Sequence, residues 1–260
     1  MKNVVLALGL AALVVCAGCS DGDRKASDAT KEAPGASLPP AEPVTEPAAI
    51  TGKIFFSGEK PAAKTISMDA TPACARIHKE PPRSEEVVVN GNGTLRNTFV
   101  WVKAGLPERS WPEAKGAITI DQAGCVYRPH VVAVRAGQDI EFLNSDPTNH
   151  NIHPMPRLNQ EWNESQPPQS EKKIKRFTRP EIMIPVKCNV HPWMRLWIAV
   201  VNHPFHAVTG EDGSFSLTGL APGEYTIEAW HERYGTQEMK VKIGPREEKQ
   251  ADFTFAAARS

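Results

Sequence analysis

The chain has 260 residues, and its 30 Lys and Arg balance 30 Asp and Glu, so the formal net charge is 0. Neither sign forms a long block, so the charge pattern gives no indication of nucleic-acid binding, and we expect no nucleic acid as a partner. Once the N-terminal segments are set aside, the remaining length suits one large β-domain or two small ones.

The N-terminus predicts export. Lys2 precedes an apolar run from Val4 to Val15, which is shorter than the roughly 20 apolar residues that span a bilayer. We therefore interpret residues 1–18 as a signal peptide. The end of this segment, Cys16-Ala17-Gly18-Cys19, resembles a bacterial lipoprotein signal. That resemblance implies a lipid on Cys19, attachment to a membrane through this anchor, and a place in the periplasm or cell envelope. A soluble secreted protein is the alternative.

A polar segment follows the signal. Residues 19–48 are rich in Ala, Pro, Glu, Lys, Asp and Ser and contain almost no large apolar side chain. Such a segment cannot bury enough surface to offset the entropy of ordering itself. We predict a disordered tether that holds the folded part away from the membrane.

The rest of the chain predicts an all-β fold. Short apolar stretches alternate with Gly, Asp and Asn turn signals, which is typical of β-sandwiches. The predicted strands are Ile50–Phe56, a hairpin of Glu86–Asn90 with Leu95–Val102, Ala117–Ile120, His130–Val134, Asp139–Leu143, Glu181–Val186, Leu196–Val201, Ser214–Leu217, Tyr225–Trp230, Glu238–Ile243 and Gln250–Phe255. Between them, Asn159–Lys173 is predicted to be a surface excursion.

The strongest chemical signal lies directly after a predicted strand. Cys188, His191 and Met194 form a Cys-x-x-His-x-x-Met pattern, which places a thiolate, an imidazole and a thioether in one short loop. Soft sulfur ligands combined with imidazole select copper over Ca²⁺ or Mg²⁺. A mononuclear blue-copper site needs one more histidine. His150 follows an earlier strand and can supply it, and His153 is its nearest rival.

These two segments resemble the cupredoxin family, and the short ligand loop is most similar to the amicyanin type. The resemblance implies that His150, Cys188, His191 and Met194 bind one copper ion. It also implies that Asn151, the residue after the first ligand, ties the two ligand loops together. Second-shell bonds of this kind orient ligands and tune the metal.

The same resemblance implies a function. A cupredoxin carries single electrons to and from a redox partner protein and transforms no substrate, so we do not expect an enzyme. In the family, the edge of the second histidine reaches the surface through an apolar patch. Carried over, this makes Pro192 and Trp193 a docking face beside His191. The alternative is that Trp193 is a core residue that shields the metal from water.

Cys74 and Cys125 remain once Cys188 is assigned as a ligand. In an oxidising compartment two such cysteines pair, so we predict a disulfide. A structural metal site that combines them with His78 and His130 is the alternative, because two Cys and two His suit zinc.

The C-terminal part carries a second resemblance. Thr209–Ile227 contains two tight turns, Glu211-Asp212-Gly213 and Ala221-Pro222-Gly223, between alternating strands. This stretch resembles the carboxypeptidase regulatory-like domain, a transthyretin-like β-sandwich that is a non-catalytic accessory module. We therefore predict a cupredoxin-like Greek-key sandwich over residues 49–201 and a regulatory-like sandwich over residues 202–255. A surface- or carbohydrate-binding lipoprotein that uses this second sandwich is the alternative function.

The boundary between the two sandwiches is open. Ile50–Pro61 also resembles the opening strand of a regulatory-like domain. The two units could therefore share strands instead of following one another along the chain.

Overall fold

The computed structural model describes residues 38–257. The signal peptide, Cys19 and residues 19–37 of the tether lie outside the described residues. Seventeen strands and a single helical turn, α1 (Pro72–Ala75), make up the described secondary structure, so the predicted all-β class is confirmed. No helix within residues 38–257 is long and apolar enough to cross a membrane.

The first nine strands are β1 (Ala48–Ser57), β2 (Phe99–Ala104), β3 (Ile118–Gln122), β4 (Tyr127–Arg128), β5 (Val131–Arg135), β6 (Ile140–Asn144), β7 (His150–Pro154), β8 (Glu164–Gln166) and β9 (Lys173–Lys175). The remaining eight are β10 (Glu181–Lys187), β11 (Arg195–Val201), β12 (His206–Val208), β13 (Ser214–Leu220), β14 (Gly223–His231), β15 (Gly235–Ile243), β16 (Glu248–Gln250) and β17 (Phe253–Ala256).

The middle of the chain forms the first sandwich. One sheet has the strand order β5-β11-β10-β7-β8 and the other has β4-β3-β6-β9. Along β6, burial alternates so that Ile140, Phe142 and Asn144 face inward, as the period of two in a strand requires. Ile140 and Phe142 join a buried apolar cluster with residues such as Ile152 and Ile198.

The second sandwich combines strands from both ends of the described chain. One sheet has the order β13-β1-β16, with β17 also paired to β1, and the other has β12-β2-β14-β15. Burial of apolar side chains explains why β1 joins the C-terminal strands, because Ile50 and Ile54 are fully buried in a cluster that includes Phe253 and Phe255. The strand pairing therefore differs from the predicted division at residues 49 and 202, because β1 and β2 belong with the C-terminal strands. Shared strands, the open alternative, describe this arrangement.

A third apolar cluster joins the two sandwiches. Phe99 of β2 packs with Val131 of β5 and Val201 of β11, and the rings of Trp197 and Trp230 meet nearby with centroids 5.2 Å apart. The chain from Leu38 onward is accordingly one compact unit.

The predicted hairpin over residues 86–102 differs from the observed structure. The two arms meet through an isolated bridge between Val89 and Leu95 and two backbone bonds, Asn90 N–H to the Thr94 carbonyl at 2.7 Å and Arg96 N–H to the Val88 carbonyl at 3.0 Å, and β2 begins later, at Phe99. The Asn90 side chain also bonds to Thr94 and to the carbonyl of Gly210, so this segment is a short hairpin-like turn and not a pair of regular strands. The predicted excursion over residues 159–173 contains β8 and the start of β9.

Three neighbouring strands place the predicted ligand segments side by side. β10 pairs with β7 through Lys187 and His153, and with β11 through Lys187 and Arg195. The loop from 188 to 194 therefore closes between β10 and β11, next to the first residue of β7, His150.

Candidate metal centre

Two imidazoles and one thiol converge at the end of these strands. The ligand atoms of His150, Cys188 and His191 all lie within 4.8 Å of one another, and all three residues are buried. The Nδ1 atoms of the two histidines are 2.9 Å apart, and the Cys188 sulfur is 3.8 Å from Nδ1 of His191. The three side chains therefore face a common point and could hold one metal ion.

The loop that carries Cys188 and His191 is closed by its own backbone. The Cys188 N–H donates to the carbonyl of Met194 at 3.2 Å, and the Met194 N–H donates to the carbonyl of His191 at 3.0 Å. Met194 is fully buried in the core of the first sandwich. This closure brings the fourth predicted ligand back beside the other loop residues.

Asn151 connects the two ligand segments. Its side-chain oxygen accepts the backbone N–H of Asn189, the residue after Cys188, and its amide nitrogen donates to Asn163. Its carbonyl accepts the Tyr127 hydroxyl. The first ligand segment is thereby tied to the second, and the linking bond is the one that the family resemblance implied.

Asp146 is a site residue that sequence reasoning missed. Its carboxylate is buried and accepts three N–H groups: Nε2–H of His150 at 2.8 Å, Cys125 N–H at 2.7 Å and Gly124 N–H at 2.6 Å. A carboxylate on Nε2 fixes the His150 tautomer and leaves the Nδ1 lone pair toward the site. The available signal was an Asp four residues before a ligand histidine.

Burial and hydrogen bonds oppose each other in the pKa values of the site. Burial raises the pKa of the Cys188 thiol, but hydrogen bonds from His150 and from the backbone of Asn151, His191 and Val190 outweigh it and lower the pKa. Burial, reinforced by the neighbouring His150, lowers the pKa of His191 to about 4. The environment thus favours a thiolate at Cys188 and a neutral imidazole at His191, which are the metal-binding forms. Burial lowers the pKa of His150, but hydrogen bonds to Asp146 and Cys188 outweigh it and raise the pKa, so metal binding would displace a proton from its Nδ1.

His153, the rival ligand, lies outside this group. Its Nδ1 is 3.1 Å from the Asn189 side-chain oxygen, and its Nε2 is 2.7 Å from a Glu161 carboxylate oxygen. Both ring nitrogens therefore have partners other than the site. Alternation along β7 explains the difference, because His150 and Ile152 face the interior with full burial while His153 points to the other side.

Cys74 and Cys125 form a disulfide that rests against the site. The Cys74 sulfur is 3.5 Å from Nε2 of His191. The alternative metal site is not assembled within residues 38–257, since His78 bonds to the Gly124 carbonyl and His130 to Glu232.

The environment of His191 differs from the expected surface edge. His191 is 0% exposed, because the disulfide covers its Nε2 and the Trp193 ring lies with its centroid 5.1 Å away. Trp193 is half-buried and donates its Nε1–H to the Cys125 carbonyl at 2.9 Å, while Pro192 is exposed. Trp193, and not the histidine, is the side chain of this pair that reaches solvent.

Comparison with known proteins adds one domain and a set of partial structural likenesses. The family model of the carboxypeptidase regulatory-like domain matches residues 198–256. No curated protein matches the chain significantly. Among solved structures, a reduced Trp-to-Tyr variant of amicyanin is 24% identical, with 34% of this chain and 85% of that one covered and a TM-score of 0.30.

Two further structures belong to the same set. A purple cupredoxin from Nitrosopumilus maritimus is 19% identical over 32% of this chain and 99% of its own, with a TM-score of 0.28. The copper-containing nitrite reductase of Thermus scotoductus is 21% identical over 38% of this chain and 25% of its own, with a TM-score of 0.29. Each likeness covers about a third of the chain, and a regulatory-like domain is present beside it.

Proposed function

We propose that this protein binds one copper ion through His150, Cys188, His191 and Met194 and carries single electrons. The observation behind the proposal is the convergence of two imidazole nitrogens and one sulfur within 4.8 Å at a buried point. The donor set fits the metal, because two His and one Cys with a weak Met describe a blue-copper site. Bound copper would supply a one-electron change between Cu(I) and Cu(II).

The protein's own contribution is to hold the ligands still and keep water out. Asp146 fixes His150, Asn151 ties the ligand loop to β7, and the loop backbone closes on itself. Ligands locked by such bonds change little when the metal changes charge, so little reorganisation opposes electron transfer. A carrier of this kind transforms no substrate, and we propose no enzymatic activity.

The visible spectrum of copper-loaded protein tests this function. A copper–thiolate bond absorbs strongly in the visible, so oxidised wild type should be intensely coloured with one copper per chain. Cys188→Ser removes the thiolate and should abolish the band. His153→Ala is the matched control, since His153 bonds to Asn189 and Glu161 and not to the site. A band that survives in the serine variant contradicts the assignment, and a colourless copper-loaded wild type favours the surface-binding alternative.

We further propose that the carrier works in the cell envelope, attached through a lipid on Cys19, with a redox partner protein in the same compartment. The support is the cysteine at the end of an export signal. Metabolic labelling with a fatty acid should mark the wild type and not Cys19→Ala. Equal labelling of both would refute the anchor.

A further inference from the structure

A surface cavity of about 470 Å³ lies beside the ligand loop. One wall consists of Pro192, Trp193 and Arg195 of that loop and its following strand. Segments 64–67 and 82–86 also line the cavity, and Val126–Arg128, His130 and Glu232 complete the lining. The cavity is therefore the solvent-filled space next to the candidate metal centre.

Trp193 links this cavity to the centre. The four candidate ligands are at most 2% exposed, so none of them can touch a partner directly. The Trp193 ring packs against the His191 ring, with the two ring centroids 5.1 Å apart, and Trp193 also lines the cavity. One aromatic side chain thus separates a ligand from a docked molecule.

Around the cavity, most of the carboxylates have ion-pair partners and most of the basic side chains do not, within residues 38–257. Lys64, Arg83, Arg128 and Arg195 line it, against the carboxylates of Glu85, Glu86 and Glu232. Glu86 pairs with Lys64 at 3.3 Å and with Arg233 at 3.7 Å, and Glu232 bonds to His130 at 2.6 Å. Within residues 38–257, Arg83, Arg128 and Arg195 have no ion-pair partner. Among the carboxylates that line the cavity, Glu85 alone is also unpaired within these residues.

Unpaired arginines favour a partner that brings carboxylates. A guanidinium binds a carboxylate through two parallel hydrogen bonds, and complementary charge speeds and orients encounter between proteins. The whole chain has formal net charge 0. Any preference for a negative partner must therefore come from local charges such as these.

We propose that this cavity is the docking site for an acidic redox protein, whose carboxylates bind Arg128 and Arg195 while its redox group approaches Trp193. The inference rests on the proposed electron-transfer function and names the partner's chemistry. Transfer of one electron between the two proteins breaks no bond and moves no proton, so docking needs only close approach and the correct orientation.

Binding of two c-type cytochromes, one acidic and one basic, tests the docking site without relying on copper. Metal-free wild type should bind the acidic cytochrome at low ionic strength, as measured by calorimetry. Arg128→Glu/Arg195→Glu should weaken that binding at least tenfold and strengthen binding of the basic cytochrome. The matched control is Lys240→Glu/Lys242→Glu, which makes the same charge change at two exposed positions on β15 and should shift the affinity by less than threefold.

The copper-loaded proteins provide the second readout. The arginine variant should keep the visible band of the wild type while it exchanges electrons with the acidic cytochrome at least tenfold more slowly. Equal affinity of both double variants for the acidic cytochrome overturns the docking site, whatever the copper spectrum shows. A missing band in the wild type overturns the proposed copper function, and the binding comparison still decides the docking site by itself.

Discussion

The two sandwiches differ in how their buried polar side chains are arranged. The core of the second sandwich is a continuous apolar cluster, with residues such as Phe215, Leu217 and Ile227 between its sheets. Both sandwiches also bury polar side chains: Glu228 and His231 in the second, and Asp146, His150 and His191 together at one end of the first. Burying such groups is costly unless each finds a partner.

In the first sandwich most of the partners are present, and among the residues of this network Gln122 Oε1 alone has none within residues 38–257. Asp146 accepts three N–H groups, and Gln122 donates to Gln166 and to the Leu143 carbonyl within the same interior. Asn144 in turn donates to the carbonyls of Gln166 and Thr148. A paired polar network fixes side-chain positions more tightly than apolar packing does. The network therefore holds the side chains around the candidate metal centre in fixed positions.

Removal of the Cys74–Cys125 disulfide should have the largest effect, and the effect should differ between the two sandwiches. The bridge closes a loop between residues 51 positions apart, and it lies only in the first sandwich. In the chain-entropy model a loop of this length contributes about 4 kcal/mol to the free energy of unfolding. Cys74→Ala/Cys125→Ala should lose about that amount in urea denaturation of metal-free protein.

Hydrogen exchange of the double variant would show which sandwich loses stability. We expect β3, β6, β10 and β11 to lose amide protection in the double variant, while β1 and β14 keep most of theirs, because local stability varies across a structure. An equal loss of protection in both sandwiches would contradict the division. Stability unchanged from wild type would remove the disulfide from the account of how the site is held.

The candidate ligand set could be proposed from the sequence because its signal is local. Cys188, His191 and Met194 share one loop directly after β10, and His150 opens β7. Asp146 was not recognised, because an Asp before Pro147 in a polar segment is also typical of an ordinary turn. Its role depends on Gly124 and Cys125, which are distant in sequence.

The arrangement of strands was less accessible for the same reason. β1 pairs in parallel with β16 through Ile50 and Lys249, which are at opposite ends of the described chain. Local periodicity predicts that a strand exists but not which distant strand it joins. The burial of His191 was likewise unforeseen, because it results from the disulfide segment folding over the ligand loop.

The second sandwich contains a buried histidine, His231, that should make stability depend on pH. His231 is 1% exposed and packs between the rings of Tyr234 and Phe255, and burial lowers its pKa from 6.5 to about 4. The unfolded chain then binds more protons between these two pH values. Above about pH 6.5 this histidine does not reduce the free energy of unfolding. As the pH falls from 6.5 toward 4, it lowers the free energy of unfolding by roughly 3 kcal/mol.

His231→Phe tests this titration, since phenylalanine keeps an aromatic ring there and cannot be protonated. The free energy of unfolding should fall less steeply between pH 6.5 and 4 in the variant than in the wild type. His153→Phe is the control, because its ring lies partly exposed in the first sandwich. Parallel pH profiles for His231→Phe and wild type would show that another group causes the acid loss.

The smallest expected effect concerns Asp146, which lies in the polar network of the first sandwich. An asparagine has one oxygen to accept with, so Asp146→Asn cannot satisfy all of the N–H groups of His150, Cys125 and Gly124. One donor left unpaired should cost about 1–3 kcal/mol in metal-free protein, and loss of the carboxylate behind a ligand histidine should weaken metal binding about 10–100-fold. Asp121→Asn is the matched control, because within residues 38–257 the Asp121 carboxylate bonds to Ser145 and to no candidate ligand. Its stability should stay within about 0.5 kcal/mol of wild type and its metal affinity should be unchanged. If Asp146→Asn bound copper as tightly as Asp121→Asn, the orientation of His150 would have to come from packing alone, and the polar network would not distinguish the first sandwich from the second.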